Sequence, residues 1–302
     1  MAKLLAHPLN QSRLYAVTSK VRLVEVLNLS SRKALDALIE ARDEKNYRTF
    51  KDGDRDIQHP VGKMAECHKR LAMLLRRIAL PDYVHSKKKR SYVSNAREHA
   101  RDMPIAKTDI THYFPSIKFS HVQRFFSEDL KCPPDVAWYF SKLCTFGGHI
   151  PTGSKISNPL AFLANRPLFD QIYDYARAKN CVMTLLQDDI VFSGAAASKE
   201  ILNEVLGMIR KWGLHASEKK KKTKTYPASA AKIVTGVLIK GNSLTIPNRR
   251  QKLMSDAFKR ATAAQTAAER TEAILELRGR IHEADQINPL AVDPRFRRLA
   301  NC

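Results

Sequence analysis

The stretch Cys181-Val-Met-Thr-Leu-Leu-Gln-Asp-Asp-Ile-Val-Phe-Ser193 decides the fold. Residues 181–186 and 190–193 are short apolar runs bounding Gln187-Asp188-Asp189, the pattern of a tight β-hairpin. Turns favour aspartate, so an Asp-Asp pair in a turn is by itself an ordinary feature. Two adjacent carboxylates at the apex of a buried hairpin are another matter, because like charges a few ångströms apart repel. Divalent cations offset that cost, and hard ions such as magnesium prefer carboxylate oxygen. A third carboxylate, Asp109, stands near the end of an upstream apolar run, residues 103–110, and is placed to complete such a site.

Working outward, apolar spacing predicts helices over residues 21–41, 61–80, 119–130, 135–145, 158–179 and 201–212, with another beginning at Ser94. Residues 46–60 are expected to hold a short strand pair and 90–93 a short strand. A further hairpin is expected over 233–239 and 243–246, around Gly241-Asn242. The Ala-, Arg- and Glu-rich tail, 248–283, reads as helical. Strand, helix, paired strands, helix and a helical tail make an α+β plan.

Lysine and arginine total 52 against 30 aspartates and glutamates, a net charge of +22. So lopsided a balance points to a polyanion. The basic residues are spread along the chain, with runs at Lys87–Arg90 and Lys219–Lys222, rather than lined on one face beside Trp and Phe as a membrane-lying helix would have them. Nucleic acid is therefore the expected partner. Five scattered cysteines without paired spacing argue against a zinc site or a disulfide framework. No run of about 18 apolar residues suggests a membrane span, and the first nine residues do not read as a secretion signal. The expected location is the cytoplasm.

With those residues in view, the chain resembles a known family. Lys107-Thr-Asp-Ile-Thr-His-Tyr-Phe-Pro-Ser-Ile117 resembles the first palm motif of reverse transcriptases, and Gly148-His-Ile-Pro-Thr-Gly-Ser154 with Asn158-Pro159 resembles their nucleotide- and template-holding loop and helix. Leu186-Gln-Asp-Asp189 stands where the family has its Tyr-x-Asp-Asp hairpin, and Gly213-Leu-His through Lys222-Thr223 resembles the next palm motif. Asn95-Ala-Arg-Glu-His99 and Val234-Thr-Gly236 match two elements of the retron-type enzymes. The ordered set covers roughly residues 50 to 250.

The resemblance implies a right-hand polymerase: N-terminal helices and fingers over 1–103, a palm with an embedded fingers segment over 104–245, and a small helical thumb over 246–302 carrying Arg249, Arg250, Lys252 and Lys259. It implies an RNA-directed DNA polymerase that copies a structured noncoding RNA by two-metal nucleotidyl transfer, in an anti-phage defence cassette that can include an effector protein. Asp109, Asp188 and Asp189, with the Ile110 carbonyl, would hold two magnesium ions. Phe114 would be the steric gate excluding a 2′-hydroxyl, and Thr152, Gly153 and Lys222 would lie at the incoming deoxynucleotide. Asn95, His99, Val234, Thr235 and Gly236 would contact the RNA. The chain departs from the family at Leu186, usually tyrosine, and at Gln187, usually small. That departure keeps two alternatives open: DNA synthesis with a restricted or absent template, and a catalytically silent RNA-binding scaffold.

Overall fold

The computed structural model describes residues 6–41, 43–219 and 221–301; Lys220 of the second basic run, Cys302 and the first five residues of the N-terminal segment lie outside the described residues. In chain order the elements begin with α1 (Lys20–Leu27), α2 (Arg32–Glu40), the single turn α3 (Asp43–Asn46), β1 (Tyr47–Asp52), β2 (Arg55–Pro60), α4 (Gly62–Leu75), α5 (Tyr92–Glu98) and β3 (Ile105–Asp109). The single turn α6 (Tyr113–Ser116), α7 (Phe119–Arg124), α8 (Pro134–Cys144), α9 (Ser157–Ala164) and α10 (Arg166–Ala178) follow. Then come β4 (Val182–Leu186), β5 (Asp189–Ser193), α11 (Lys199–Lys211), β6 (Lys224–Tyr226), β7 (Lys232–Val234), β8 (Val237–Lys240) and β9 (Ser243–Thr245). The chain closes with α12 (Asn248–Ala263), α13 (Ala267–Ile287) and α14 (Pro294–Ala300). The expected mixture of helices and antiparallel sheet is present.

Several boundaries correct the sequence expectation, each for a local reason. The helix expected over 21–41 is two helices, because Asn28 turns left-handed (φ 57°) and Ser31 caps a new start by accepting from the Ala34 amide. Residues 90–93 are not a strand: Ser91 and Ser94 form a reciprocal capping box that opens α5. The helix over 158–179 breaks at Asn165, whose buried carboxamide donates to the Ala161 carbonyl and accepts from Trp212 Nε1. The run 233–239 is itself a hairpin, folded back at Thr235-Gly236.

The chain divides into two compact units. The first takes the described residues up to Pro81 with Ile110–Tyr173 and Leu206–Ser217. It is mainly helical around a core in which Phe126 and Phe140 stack at 4.4 Å. Buried His68 donates from Nε2 to the Leu143 carbonyl (2.7 Å), so its bare Nδ1 must accept from the Ser154 hydroxyl (2.6 Å). Burial pushes the His68 imidazole down to about 4, which keeps it in that neutral form.

The second unit takes Asp82–Asp109, Asp174–Val205 and the described residues from Glu218 onward. Its main sheet is antiparallel, in the order β4-β5-β3-β6. The outer edge of β4 is covered by residues 83–85, which exchange backbone hydrogen bonds with Leu185. Side chains alternate across the sheet, so Ile105, Lys107 and Asp109 share a face with Asp189, Val191 and Ser193 and with Val182, Thr184 and Leu186. One end of that face packs against α5, with Val93 and Ala96 meeting Ile105 and Val191; the same core takes in Val234, Val237 and Ile239 of the small β7-β8-β9 sheet. Helices α12, α13 and α14 close on a separate core around Met254, Ala257, Leu277 and Ile281. Among the described residues no helix is long and apolar enough to cross a membrane.

Gly194, which follows β5, has φ 145°, and an added Cβ would stand 3.0 Å from the Asn180 carbonyl oxygen and 3.2 Å from the Cys181 Cα. Both obstacles are backbone, so a side chain cannot be accommodated by rotamer change. Gly194→Ala is expected to destabilise the protein by roughly 1–3 kcal/mol, read as a lower denaturant midpoint at unchanged slope. An unchanged midpoint would show that the strand end can yield there.

Candidate functional site

Strand pairing brings the carboxylates together. Asp109, the last residue of β3, lies directly opposite Asp189, the first of β5. Asp189 also pairs with Leu186 of β4, which leaves Gln187 and Asp188 as the whole hairpin turn. Gln187 sits at φ 59°, a region that side chains other than glycine and asparagine avoid, so the turn carries local strain. Cross-strand partners on one face stand about 5 Å apart at Cβ. Asp109 and Asp189 are therefore neighbours whatever their rotamers, with Asp188 beside them.

The electrostatics follow from that crowding. Burial, then the charges of Asp189 and Asp109, push the Asp188 carboxyl up to about 6. Burial also raises Asp189, against the pull of Lys222 and Lys107. Asp109 is 5% exposed. Its Oδ2 accepts from Lys222 Nζ at 2.6 Å, while its Oδ1 is buried with no hydrogen-bond partner among the described residues. For Lys222 burial works downward, but the hydrogen bond and charge of Asp109, with Asp189 and Asp188, outweigh it and the ammonium is raised. Lys107, on the same sheet face, is lowered by burial against the opposing charge of Asp189. Lys222 reaches the site because β6, just after it, pairs with β3, and because Thr223 and Thr108 hydroxyls meet at 2.8 Å.

A divalent ion fits this site in kind. The donors are the hard oxygens of three carboxylates, and a desolvated anionic oxygen without a partner is what a cation would satisfy. Among the described residues, however, no three His, Cys, Asp or Glu side chains stand grouped as a finished metal cage. The positive charge at Asp109 is supplied by Lys222.

The other expected site residues are placed as follows. Ile110 follows Asp109 and bridges antiparallel to Ala216, its side chain buried. Phe114 lies in α6, half-buried and tilted against Tyr113. Thr152 docks on β2: its carbonyl accepts from the Gln58 amide at 2.6 Å and its own amide donates to Gln58 Oε1 at 2.7 Å. Gly153, at φ 101°, passes so close to Ile57 that a Cβ would lie 2.7 Å from it.

Of the five residues expected to contact RNA, three are buried. Asn95 and His99 are 0% exposed, and their polar atoms point into the protein, so neither side chain presents itself to an external partner. Val234 is likewise buried in β7. Thr235 and Gly236 are partly exposed in the β7–β8 turn. Thr235 is held at φ 45°, strained for a β-branched residue, by donating to the Tyr92 carbonyl at 2.9 Å. Of the tail cations, Arg250 is occupied within the unit, paired with Glu283 and lying over the Tyr92 ring, whereas Arg249, Lys252 and Lys259 are exposed. Thr184 and Ser193, which bond His99, were not singled out in the sequence; their signal was a polar residue inside each apolar strand.

No family model matches the chain. It is 28% identical over 238 residues to the retron Se72 reverse transcriptase of Salmonella heidelberg (strain 579083-10), covering 72% of this chain and 62% of that protein. It is 27% identical over 186 residues to the retron Ec48 reverse transcriptase of Escherichia coli, covering 61% of this chain and 44% of that protein. The chain thus spans about three fifths or less of the length of these curated relatives. Both bear out the resemblance to retron reverse transcriptases read from the motifs. A solved structure of a foamy viral protease–reverse transcriptase in complex with double-stranded DNA aligns with a TM-score of 0.46 at 14% identity, covering 84% of this chain and 41% of that one.

Because the folded protein holds the Asp188 proton more tightly than the unfolded chain, ionising this carboxyl costs stability as pH rises through about 6. In metal-free protein at pH 7, Asp188→Asn is expected to gain roughly 1–2 kcal/mol, discounted for partial exposure. The gain should shrink towards zero as pH falls to about 4. Urea unfolding at several pH values checks this, and an Asn variant less stable than wild type at pH 7 would contradict it.

Proposed function

We propose that the protein is a retron-type RNA-directed DNA polymerase whose reaction centre is the carboxylate cluster of Asp109, Asp188 and Asp189. The observation that carries this reading is the Asp109–Asp189 cross-strand pair, with a buried unsatisfied oxygen on Asp109 and Asp188 in the adjoining turn. A structural hairpin gains nothing from that arrangement. The motif order and the curated relatives supply the class of reaction.

Asp109, Asp188 and Asp189 would hold two magnesium ions, with the Ile110 carbonyl as a further ligand. Bound there, such ions would supply the Lewis acidity needed to activate a primer hydroxyl and stabilise a departing pyrophosphate. What the protein itself contributes to phosphoryl transfer is positioning and charge neutralisation. Lys222 is suited to both, since its ammonium, released from Asp109 Oδ2, can neutralise nucleotide phosphate beside the same carboxylates. Phe114 would exclude the 2′-hydroxyl by bulk, and Thr152 and Gly153, their backbone fixed on β2, would contact the incoming nucleotide. In this assignment residues 1–103 would supply N-terminal helices and fingers, 104–245 the palm with an embedded fingers segment, and 246–302 the helical thumb. The template would be a structured noncoding RNA gripped largely through phosphates, consistent with the net charge of +22. A role in anti-phage defence with an effector protein belongs to the same proposal.

Leu186 and Gln187 favour a second reading within the same chemistry. The tyrosine expected beside the primer end is absent, and Gln187 is held in a strained turn, so template or primer choice can differ from that of the relatives.

Purified protein with its co-purifying nucleic acid, magnesium and labelled deoxynucleotides is expected to incorporate label. Asp188→Asn should lower incorporation at least about 10²-fold, the scale of losing a transition-state charge partner, while RNA binding by filter retention stays unchanged. Incorporation that survives ribonuclease treatment would select the template-independent reading. Undiminished synthesis by Asp188→Asn would refute the carboxylate assignment.

A further inference from the structure

Ser193 and Thr184 are polar residues inside apolar strands of the hairpin that carries Asp188 and Asp189. In the register Val182 faces Ser193 and Thr184 faces Val191, so Thr184 and Ser193 are diagonal neighbours on one face. Diagonal neighbours stand about 7–8 Å apart, too far for hydroxyls to bond directly. The His99 imidazole fills the gap, with Nδ1 at 2.7 Å from Ser193 Oγ and Nε2 at 2.7 Å from Thr184 Oγ1. Thr184 Oγ1 lies 2.5 Å from Asn95 Oδ1.

With Asn95 Oδ1 facing Thr184, the protons in this chain have one arrangement. Asn95 Oδ1 can only accept, so the single Thr184 proton goes to it. Thr184 Oγ1 must then accept from His99 Nε2–H. A neutral imidazole carries one N–H, which leaves Nδ1 bare to accept from the Ser193 hydroxyl. The chain runs one way: Ser193 to His99 to Thr184 to Asn95. Ser193 and Thr184 are 4% and 2% exposed, and His99 and Asn95 are fully buried. Burial, then the charges of His85 and Arg101, press the imidazole down to about 3, so it stays neutral.

We propose that His99 and Asn95 are positioning residues that fix the spacing and twist of the β4–β5 hairpin, and through it the placement of Asp188 and Asp189. The inference rests on the polymerase reading above. Ser193 lies four residues, roughly 13 Å along β5, from Asp189, and Thr184 stands four residues before Asp188 of the turn. Ser193 shares a sheet face with Asp189 and Asp109. Helix α5, which carries Asn95 and ends just before His99, is already seated by Val93 and Ala96 against Ile105 and Val191. Apolar packing thus already contributes to seating the helix. What the hydrogen-bond chain adds is direction: a strand slipped or rotated at this end breaks all three bonds together. Among the described residues Asn95 Nδ2 is buried with no partner, so holding the carboxamide against Thr184 carries an unoffset cost.

The test compares His99→Leu, which removes both bonds, with His99→Gln, which keeps one donor and one acceptor. In full-length protein with its co-purified RNA, magnesium and deoxynucleotides, His99→Leu is expected to lower kcat about 10- to 100-fold per active site, the scale of a small misplacement of reacting groups. Deoxynucleotide KM and RNA Kd should stay within about twofold, and His99→Gln should recover most of kcat. Parallel loss of RNA binding and activity, or an unchanged kcat, would overturn the proposal. Two readouts work without any synthesis. Nitrogen-15 NMR of histidine-labelled wild type should show His99 neutral with its proton on Nε2 at pH 6, and a proton on Nδ1 or a cationic ring would overturn the proposed direction. Hydrogen exchange of the 182–193 amides should quicken about tenfold in His99→Leu but not in His99→Gln; equal exchange in both would sink the positioning role. If wild type incorporates no deoxynucleotide, the polymerase reading fails while these two measurements still decide the role of His99.

Discussion

The structure depends on a concentration of negative charge at the end of the central sheet. Asp109 and Asp189 face each other across adjacent strands, and Asp188 adds a third carboxylate in the turn. In partly desolvated surroundings that arrangement is unfavourable unless positive charge is close. Lys222 supplies one ammonium at Asp109 and Lys107 another on the same face. The oxygen that remains buried and unsatisfied is the measure of what the side chains alone do not balance.

Much of the second unit can be read as support for that cluster. Pairing of β6 with β3 brings Lys222 into range. The α5 helix packs one end of the carboxylate-bearing face with apolar contacts and a buried polar chain, leaving the other end of the face to the aspartates. Strain is concentrated in turns rather than strands. Gln187 and Thr235 both take positive φ, and each lies in a hairpin turn whose flanking strands are closely packed. Packed strands are what allow a turn to keep an unfavourable backbone conformation.

Of the first unit, the sequence signalled the loop of Thr152 and Gly153 by its glycines and proline, but not what holds it. Gln58 accepts from and donates to the Thr152 backbone, and His68 anchors Ser154 two residues on. Neither Gln58 nor His68 stands near that loop in sequence, and neither belongs to a spacing pattern. Buried polar partners of this sort are set by where elements meet, which periodicity does not encode.

By itself the sequence determined the hairpin around Asp188 and Asp189, the strand ending at Asp109, the basic balance and most helices. These follow from local alternation, turn chemistry and counted charge. It misjudged boundaries where one residue breaks a period, as at Asn28, Asn165 and Thr235, because an apolar pattern continues through a turn that only the backbone reveals. Tertiary structure alone decided the register that sets Asp109 against Asp189, the approach of Lys222, and the burial of Asn95 and His99. Those are contacts between residues some 80 to 115 positions apart, fixed by strand pairing and packing rather than by any local preference.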